Sequence, residues 1–332
     1  MNTNTVIPAL ATIVAVAAAP LTTQAQDFPQ RTIELIFPWG PGNAMSASQI
    51  LADAMSDEIG VSIPVISTPG ASGTKAFLIG MNKPADGYTI IDGYVAPLVL
   101  QPVLGKADWS YDDFVPLHAG FSNAFALGTA AGNDRWTSFE DLMNYCAKHP
   151  GELRYTTGSR NNLPHMVTAK ALQSYNCVAQ NIPYTANADA MSDLKNGVLD
   201  FGYINVGDFQ QGPADYNVLI VLSELPESAA AFGGAPSIAD LDVDLGLSGL
   251  APMGWDWWLV HKDTPPDRLE ILRSAMKAAM ESPEVQAKAE SLGFSSLKWD
   301  WADYEDVVGP VAGQLEAMGN ALKWEEEQLA SQ

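Results

Sequence analysis

Phe37-Pro38-Trp39-Gly40-Pro41-Gly42-Asn43-Ala44-Met45-Ser46 joins two segments of opposite character. Before it runs Ile33-Glu34-Leu35-Ile36, which reads as a buried strand; after it, Ala47, Ile50, Leu51, Ala54, Met55 and Ile59 recur at intervals of three and four. That spacing predicts an amphipathic helix, with Gly60 at its C-terminal stop. A strand, a glycine–proline turn and a helix opened by Asn43 or Ser46 leave backbone N–H groups pointing out of the turn. With the positive end of the helix dipole, these donors form an anion site that needs no basic side chain. An ordinary strand-to-helix connection looks the same locally. The recurrence of the construction downstream is what favours binding.

A second strand is expected over residues 63–68, then the turn Pro69-Gly70-Ala71-Ser72-Gly73-Thr74, a helix over 75–81, and a strand over 88–92 after Ala85-Asp86-Gly87. Residues 121–129 are apolar and small, suiting a strand that crosses between lobes. Leu153-Arg154-Tyr155-Thr156 leads into Thr157-Gly158-Ser159-Arg160-Asn161-Asn162 and a helix starting near His165, a second strand–loop–helix unit richer in donors than the first. A third unit follows, with a strand over 181–184, the turn Thr185-Ala186-Asn187, and a helix over 188–196 stopped by Gly197. The strand over 198–206 then ends at Gly207-Asp208. Alternation of this kind implies a parallel sheet with right-handed crossovers, whose ligands lie beyond the carboxyl ends of the strands.

The last third carries a strand around 255–261, helices after Pro265-Pro266-Asp267 and after Pro283, and a terminal helix from near Asp303. Its end, Glu325-Glu326-Glu327, is poorly matched to a helix C-terminus, so fraying is expected there. Trp255, Trp257, Trp258, Trp299 and Trp301 read as packing between lobes and at the surface rather than as a ligand cage.

Residues 7–19 are apolar and small apart from Pro8 and Thr12, and Thr23-Gln24-Ala25 offers small residues at a signal-peptidase site. The run is shorter than the ~20 residues of a spanning helix, so residues 1–25 are expected to be a signal peptide and the mature chain a soluble periplasmic protein. About 305 remaining residues suit two moderate domains. A net charge of −22 argues against nucleic acid or an anionic membrane as partner. An anion must therefore be held by local dipoles against an unfavourable overall field. In an exported chain the two cysteines, Cys146 and Cys177, favour a disulfide. No metal site or cofactor motif is expected.

The order of motifs resembles that of Bug-type receptors, the periplasmic solute-binding proteins of tripartite tricarboxylate transporters. The likeness runs from TIELIFPWGPG through PGASGT, DGYT at Asp86–Thr89, DDFVPL at Asp112–Leu117, HPGELRYTTGS and IPYTANADAMSDLKNGVLD to LAPMGWDWWLVHKDTPPD. It implies an α/β fold, the two-lobed type II periplasmic binding protein or Venus flytrap, with two crossing strands. Lobe 1 would comprise residues 26–124 and 251–332, lobe 2 residues 125–250. It further implies a monomer that holds a small carboxylate in the interlobe cleft by backbone N–H groups, hydroxyls and waters, and delivers it to the large and small membrane subunits of a transporter. A receptor for a membrane sensor kinase is the alternative, and an exported hydrolase a remote one. No Gly-x-Ser-x-Gly, HExxH or Walker motif supports the latter.

The matching positions are Trp39, Gly40, Gly42, Asn43, Ala44, Met45 and Ser46; Ser72, Gly73 and Thr74; Thr157, Ser159, Arg160, Asn161, Asn162 and His165; and Tyr184 and Thr185. Tyr94 and Asp208 join them as candidates. Where the family usually has Asp after its glycine cluster, this chain has Asn43-Ala44-Met45-Ser46, which removes a partner for an ammonium group. The expected ligand is thus a di- or tricarboxylate or an aromatic carboxylate without an amino group. Trp39 and Tyr94 are candidates for stacking on a ring or, equally, for core packing. Arg160 could pair bidentately with a carboxylate or lie solvated at the surface. His165 reads as a helix-start residue bonded within its lobe.

Overall fold

The computed structural model describes Met1 and residues 28–245, 247 and 254–331. The expected signal peptide beyond Met1, and the Leu250–Met253 part of the last motif, lie outside the described residues. Among the described residues there are twelve strands: β1 (Glu34–Phe37), β2 (Val65–Ser67), β3 (Thr89–Tyr94), β4 (Phe114–Ala119), β5 (Phe121–Ser122), β6 (Phe125–Ala130), β7 (Arg154–Thr156), β8 (Gln180–Asn181), β9 (Phe201–Asn205), β10 (Tyr216–Val221), β11 (Asp256–His261) and β12 (Ser295–Ser296). They form two five-stranded sheets, ordered β2-β1-β3-β11-β4 and β10-β6-β9-β7-β8, and a small β12-β5 pair.

Each sheet departs from the all-parallel expectation by one strand. β1 is parallel to β2 and β3, whereas β11 is antiparallel to both β3 and β4. β7 is parallel to β8 and β9, whereas β6 is antiparallel to both β9 and β10. The reversed strands are those that follow a crossing. β6 arrives from the first sheet through β4 and β5, and β11 returns from the second. A strand delivered across the gap enters its sheet from the far end, so it runs against its neighbours.

The first helix, Asn43–Ile59, buries Ala47, Ser48, Leu51, Ala52 and Met55 and ends at Gly60, whose φ of 72° is a left-handed cap. Cys146 and Cys177 are bonded to each other across 31 residues, a closure worth about 3–4 kcal/mol on the chain-entropy account. Trp255, Trp257 and Trp258 are buried, while Trp301 is exposed. No helix among the described residues is long and apolar enough to cross a membrane.

The C-terminus corrects two expectations. After the helix Tyr304–Met318, the helix Asn320–Ala330 packs against Leu163–Ser174 of the second lobe rather than staying with the first. The chain thus returns a third time. Nor does the acidic run fray at its start. Glu325 is 4% exposed, on the same helix face as buried Ala321 and Leu322.

Candidate functional site

Two turns, one from each lobe, meet across the gap. In the first lobe Gly42 caps the helix Asn43–Ile59, no side chain caps it, and its first turn holds no acidic residue. The opening N–H groups keep their partial positive charge. A Cβ added at Gly40 or Gly42 would meet nothing within 4 Å, so space lies before the turn. Beside it Ala71 and Ser72 hold positive φ values of 47° and 52°. Gly73, at φ 90°, approaches so closely that a Cβ would lie 2.9 Å from Pro97 and 3.2 Å from Pro38. In the second lobe Gly158 (75°) and Asn161 (58°) are also left-handed. Among the described residues four non-glycines have positive φ, and three of them lie in these two turns. Such strain persists only where the surroundings fix it, and it concentrates at ligand clamps.

Two hydrogen bonds cross the gap to the second lobe's turn, one from Ser72 and one from Gln101 on the next helical segment. The Ser72 hydroxyl donates to the Arg160 carbonyl at 2.7 Å, and Gln101 Nε2 donates to the Asn161 carbonyl at 2.6 Å. Among the described residues the amides of Ser159 and Arg160 donate to no protein acceptor.

The other expected residues divide by what already engages them. Arg160 Nη2 donates to the Asn181 carbonyl at 3.0 Å, and the residue lines a cavity of about 400 Å³ with Gly151, Gln180, Ile182 and Leu329. Its guanidinium is thereby held within its own lobe. His165 uses both ring nitrogens, Nδ1 accepting from the Asn161 amide at 2.9 Å and Nε2 meeting Glu325 at 2.8 Å. Asn162 caps the helix Leu163–Ser174 through the His165 amide and donates to the Thr157 carbonyl. Buried Thr157 accepts from Asn181 Nδ2 at 3.2 Å. The Tyr184 hydroxyl donates to Asp193 at 2.6 Å; burial and that carboxylate push it up to about 12. Thr185 is exposed. The hydroxyls of Ser46 and Thr74 donate to the carbonyls of Gly42 and Ala71, and Ala44 and Met45 pack on the first lobe's core.

Trp39 meets Tyr94 edge to face at 6.0 Å, and Tyr94 meets Phe37 likewise, so the two aromatics pack on one another. Burial raises the Tyr94 phenol well above its ordinary value, with further contributions from Asp92, Asp256 and Tyr203 of the other lobe. Asp208 accepts from Asn187 Nδ2 at 2.8 Å and from Asn205 Nδ2, and burial raises its carboxyl toward the neutral form.

Sequence reasoning missed Gln101, Tyr203 and Asn205. Gln101 lies within the apolar run Leu98–Val103, where a lone amide signals a polar target. Tyr203 and Asn205 lie in the last three residues of β9, at the carboxyl end where ligands lie in such sheets. Also missed was a buried carboxyl pair beneath the cleft. Asp256 lies opposite Tyr94 in the β3–β11 register, so Asp92, two residues along β3, shares its face. Asp92 takes a 2.6 Å bond from Ser48, and Asp256 a 2.9 Å bond from the Phe121 amide at the crossing. Burial raises both carboxyls, that of Asp256 to about 6, and the neighbouring charge raises Asp92 further. At 0% and 2% exposed the pair is sealed from any substrate.

Comparison with known proteins adds the family. Residues 47–316 match the family described as "Tripartite tricarboxylate transporter family receptor". Protein BugT of Bordetella pertussis is 23% identical over 299 residues, covering 86% of this chain and 87% of the relative. Two solved structures share the fold. A Rhodopseudomonas palustris protein with adipate has a TM-score of 0.75 at 21% identity, over 89% of this chain and 98% of that one. MatC of the same organism, with bound malate, has a TM-score of 0.73 at 16% identity, over 91% of this chain and 100% of that one.

Proposed function

The chain belongs to the family of tripartite tricarboxylate transporter receptors, and from that premise we propose that it is a periplasmic receptor for a small dicarboxylate. The acid sits between the lobes, one carboxylate at the Asn43 helix start and one at the Ser159 and Arg160 amides, and the closed receptor delivers it to the membrane subunits of a transporter. The observation that carries this reading is the strained turn at 71–73 in hydrogen-bond contact with the strained turn at 158–161, beside the uncapped helix start at Asn43. Malate and adipate, bound by two proteins of the same fold, are both dicarboxylates. The ligand has no amino group on this reading, since the first turn of the Asn43 helix holds no carboxylate and Asp208, beside Gly207, already accepts from two amides. The reading is of a binder rather than a hydrolase, the buried Asp92–Asp256 pair being out of substrate reach.

A thermal-shift panel of dicarboxylates, citrate, benzoate and amino acids tests the class. Dicarboxylates are expected to stabilise the protein; a panel in which amino acids alone did so would sink the proposal. Closure requires that the ligand bind the closed state better than the open one. Small-angle scattering is expected to give a smaller radius of gyration at saturation than without ligand.

Arg160→Ala separates amide capture from capture by a basic side chain. A direct charge-assisted bond would be worth about 1.5–3 kcal/mol, or roughly tenfold or more in affinity. Because the guanidinium is taken by the Asn181 carbonyl, calorimetry is expected to show a change under about threefold. A loss of tenfold or more would return Arg160 to the ligand.

A further inference from the structure

Glu325 lies outside the cleft, on the last helix, yet it is wired to the cleft's second turn. Its Oε1 accepts from the Tyr155 hydroxyl, and its Oε2 is 2.8 Å from His165 Nε2. The other ring nitrogen, Nδ1, is 2.9 Å from the Asn161 amide. An amide N–H can only donate, so Nδ1 must carry the lone pair and Nε2 the proton. Glu325 is then an acceptor at both oxygens, and its presence fixes the tautomer of His165.

The Asn161 backbone is thereby held at both of its polar groups. Its N–H is bound by His165, and its carbonyl takes Gln101 Nε2 from the opposite lobe at 2.6 Å. Its backbone is left-handed, at φ 58°, a conformation that a non-glycine residue keeps only where something fixes it. One residue earlier, the Arg160 carbonyl takes the Ser72 hydroxyl. The Ser72 bond therefore closes on the peptide unit whose N–H His165 accepts, and the Gln101 bond on the peptide unit after it.

We propose that Glu325 is a positioning residue for ligand capture: through His165 it sets the Asn161 turn on which the two lobes lock. This rests on the cleft reading above and deepens it. A tie that merely fastened the C-terminal helix would predict something different, because it would act through docking strength and not through the histidine tautomer.

The test uses the mature chain carrying Glu325→Gln, with Tyr155→Phe for comparison. Nitrogen NMR reads the His165 tautomer, amide exchange reads Asn161, and calorimetry reads adipate. In Glu325→Gln the carboxamide can offer a donor to Nε2, which populates the Nδ1-protonated ring and sets it against the Asn161 N–H. Asn161 exchange is expected to quicken about tenfold and adipate affinity to fall by about the same factor, as for one charge-assisted bond lost. Tyr155→Phe removes the other bond to Glu325, so it should lower the melting temperature while tautomer and Asn161 exchange stay near wild type. If Glu325→Gln does not fold, Glu325→Asp, which withdraws both oxygens, is read in the same way. A Glu325→Gln protein with wild-type tautomer and Asn161 exchange overturns the proposal. So does a Tyr155→Phe protein whose Asn161 exchange quickens equally. A wild-type protein indifferent to adipate would count against the dicarboxylate reading alone, since tautomer and exchange still decide the role of Glu325.

Discussion

Gly207→Ala is expected to weaken dicarboxylate binding by about tenfold or more while leaving the melting temperature nearly unchanged. Gly207 follows β9 in the second lobe. Leu292 and Gly293 follow the helix Pro283–Ser291, which packs on Asn43–Ile59 in the first. A Cβ at Gly207 would lie 2.6 Å from the Leu292 carbonyl oxygen and 2.4 Å from Asn43 Nδ2; one at Gly293 would lie 2.5 Å from the Gly207 amide. The Asn43 side chain can swing away, but the Leu292 backbone cannot, so the added methyl must push the lobes apart. Gly207 sits in a short helix without positive φ, where alanine is intrinsically favoured over glycine. Folding of the lobe should therefore not suffer. What suffers is closure, because the Ser72–Arg160 and Gln101–Asn161 bonds span the widened gap. Losing two such bonds costs about 1–3 kcal/mol. Calorimetry beside thermal melting checks this. Wild-type affinity, or a loss of affinity that merely follows a collapse in melting temperature, would count against the close approach as a closure determinant.

Asp92→Asn is expected to stabilise the protein by about 1–3 kcal/mol near pH 8 and to do little near pH 4.5. Both carboxyls of the pair have folded values raised above the ordinary value of about 3.9. Raised acids favour the folded state fully below the unfolded value. That contribution is lost as pH climbs, first through about 6 for Asp256 and then further for Asp92. A carboxamide at 92 can still accept from Ser48 and can donate to Asp256, whose Oδ2 has no donor at present. The buried like-charge conflict then disappears. Denaturant unfolding at the two pH values should show the stabilities of variant and wild type diverging as pH rises. Convergence toward pH 8, or a variant destabilised there, would contradict the shared burial cost.

Much of this was written in the sequence. The Ile33–Ile36 strand, the glycine turn and the helix stopped at Gly60 were legible because apolar period, turn residues and cap agree. Strand direction was not. Nothing in the periodicity of β6 or β11 encodes the end from which each enters its sheet, since the crossing decides that. The loop that carries Arg160 is legible, but a side chain's aim depends on which carbonyl the neighbouring strand leaves open, here that of Asn181. Glu325 was hidden in an acidic run that composition reads as solvated. Its position four residues after Ala321 and three after Leu322 nevertheless put it on the buried stripe. Asp92 and Asp256 offered a similar signal, each an isolated acid inside an apolar strand.

The central claim is that peptide amides on two opposed turns, not basic side chains, hold the acid. Amide-resolved NMR during an adipate titration tests it most directly. Saturable shifts are predicted at Asn43–Met45 on one side and Gly158–Arg160 on the other, growing together along one binding curve. Shifts confined to one turn, or centred on lysine and arginine side chains away from both, would contradict the account.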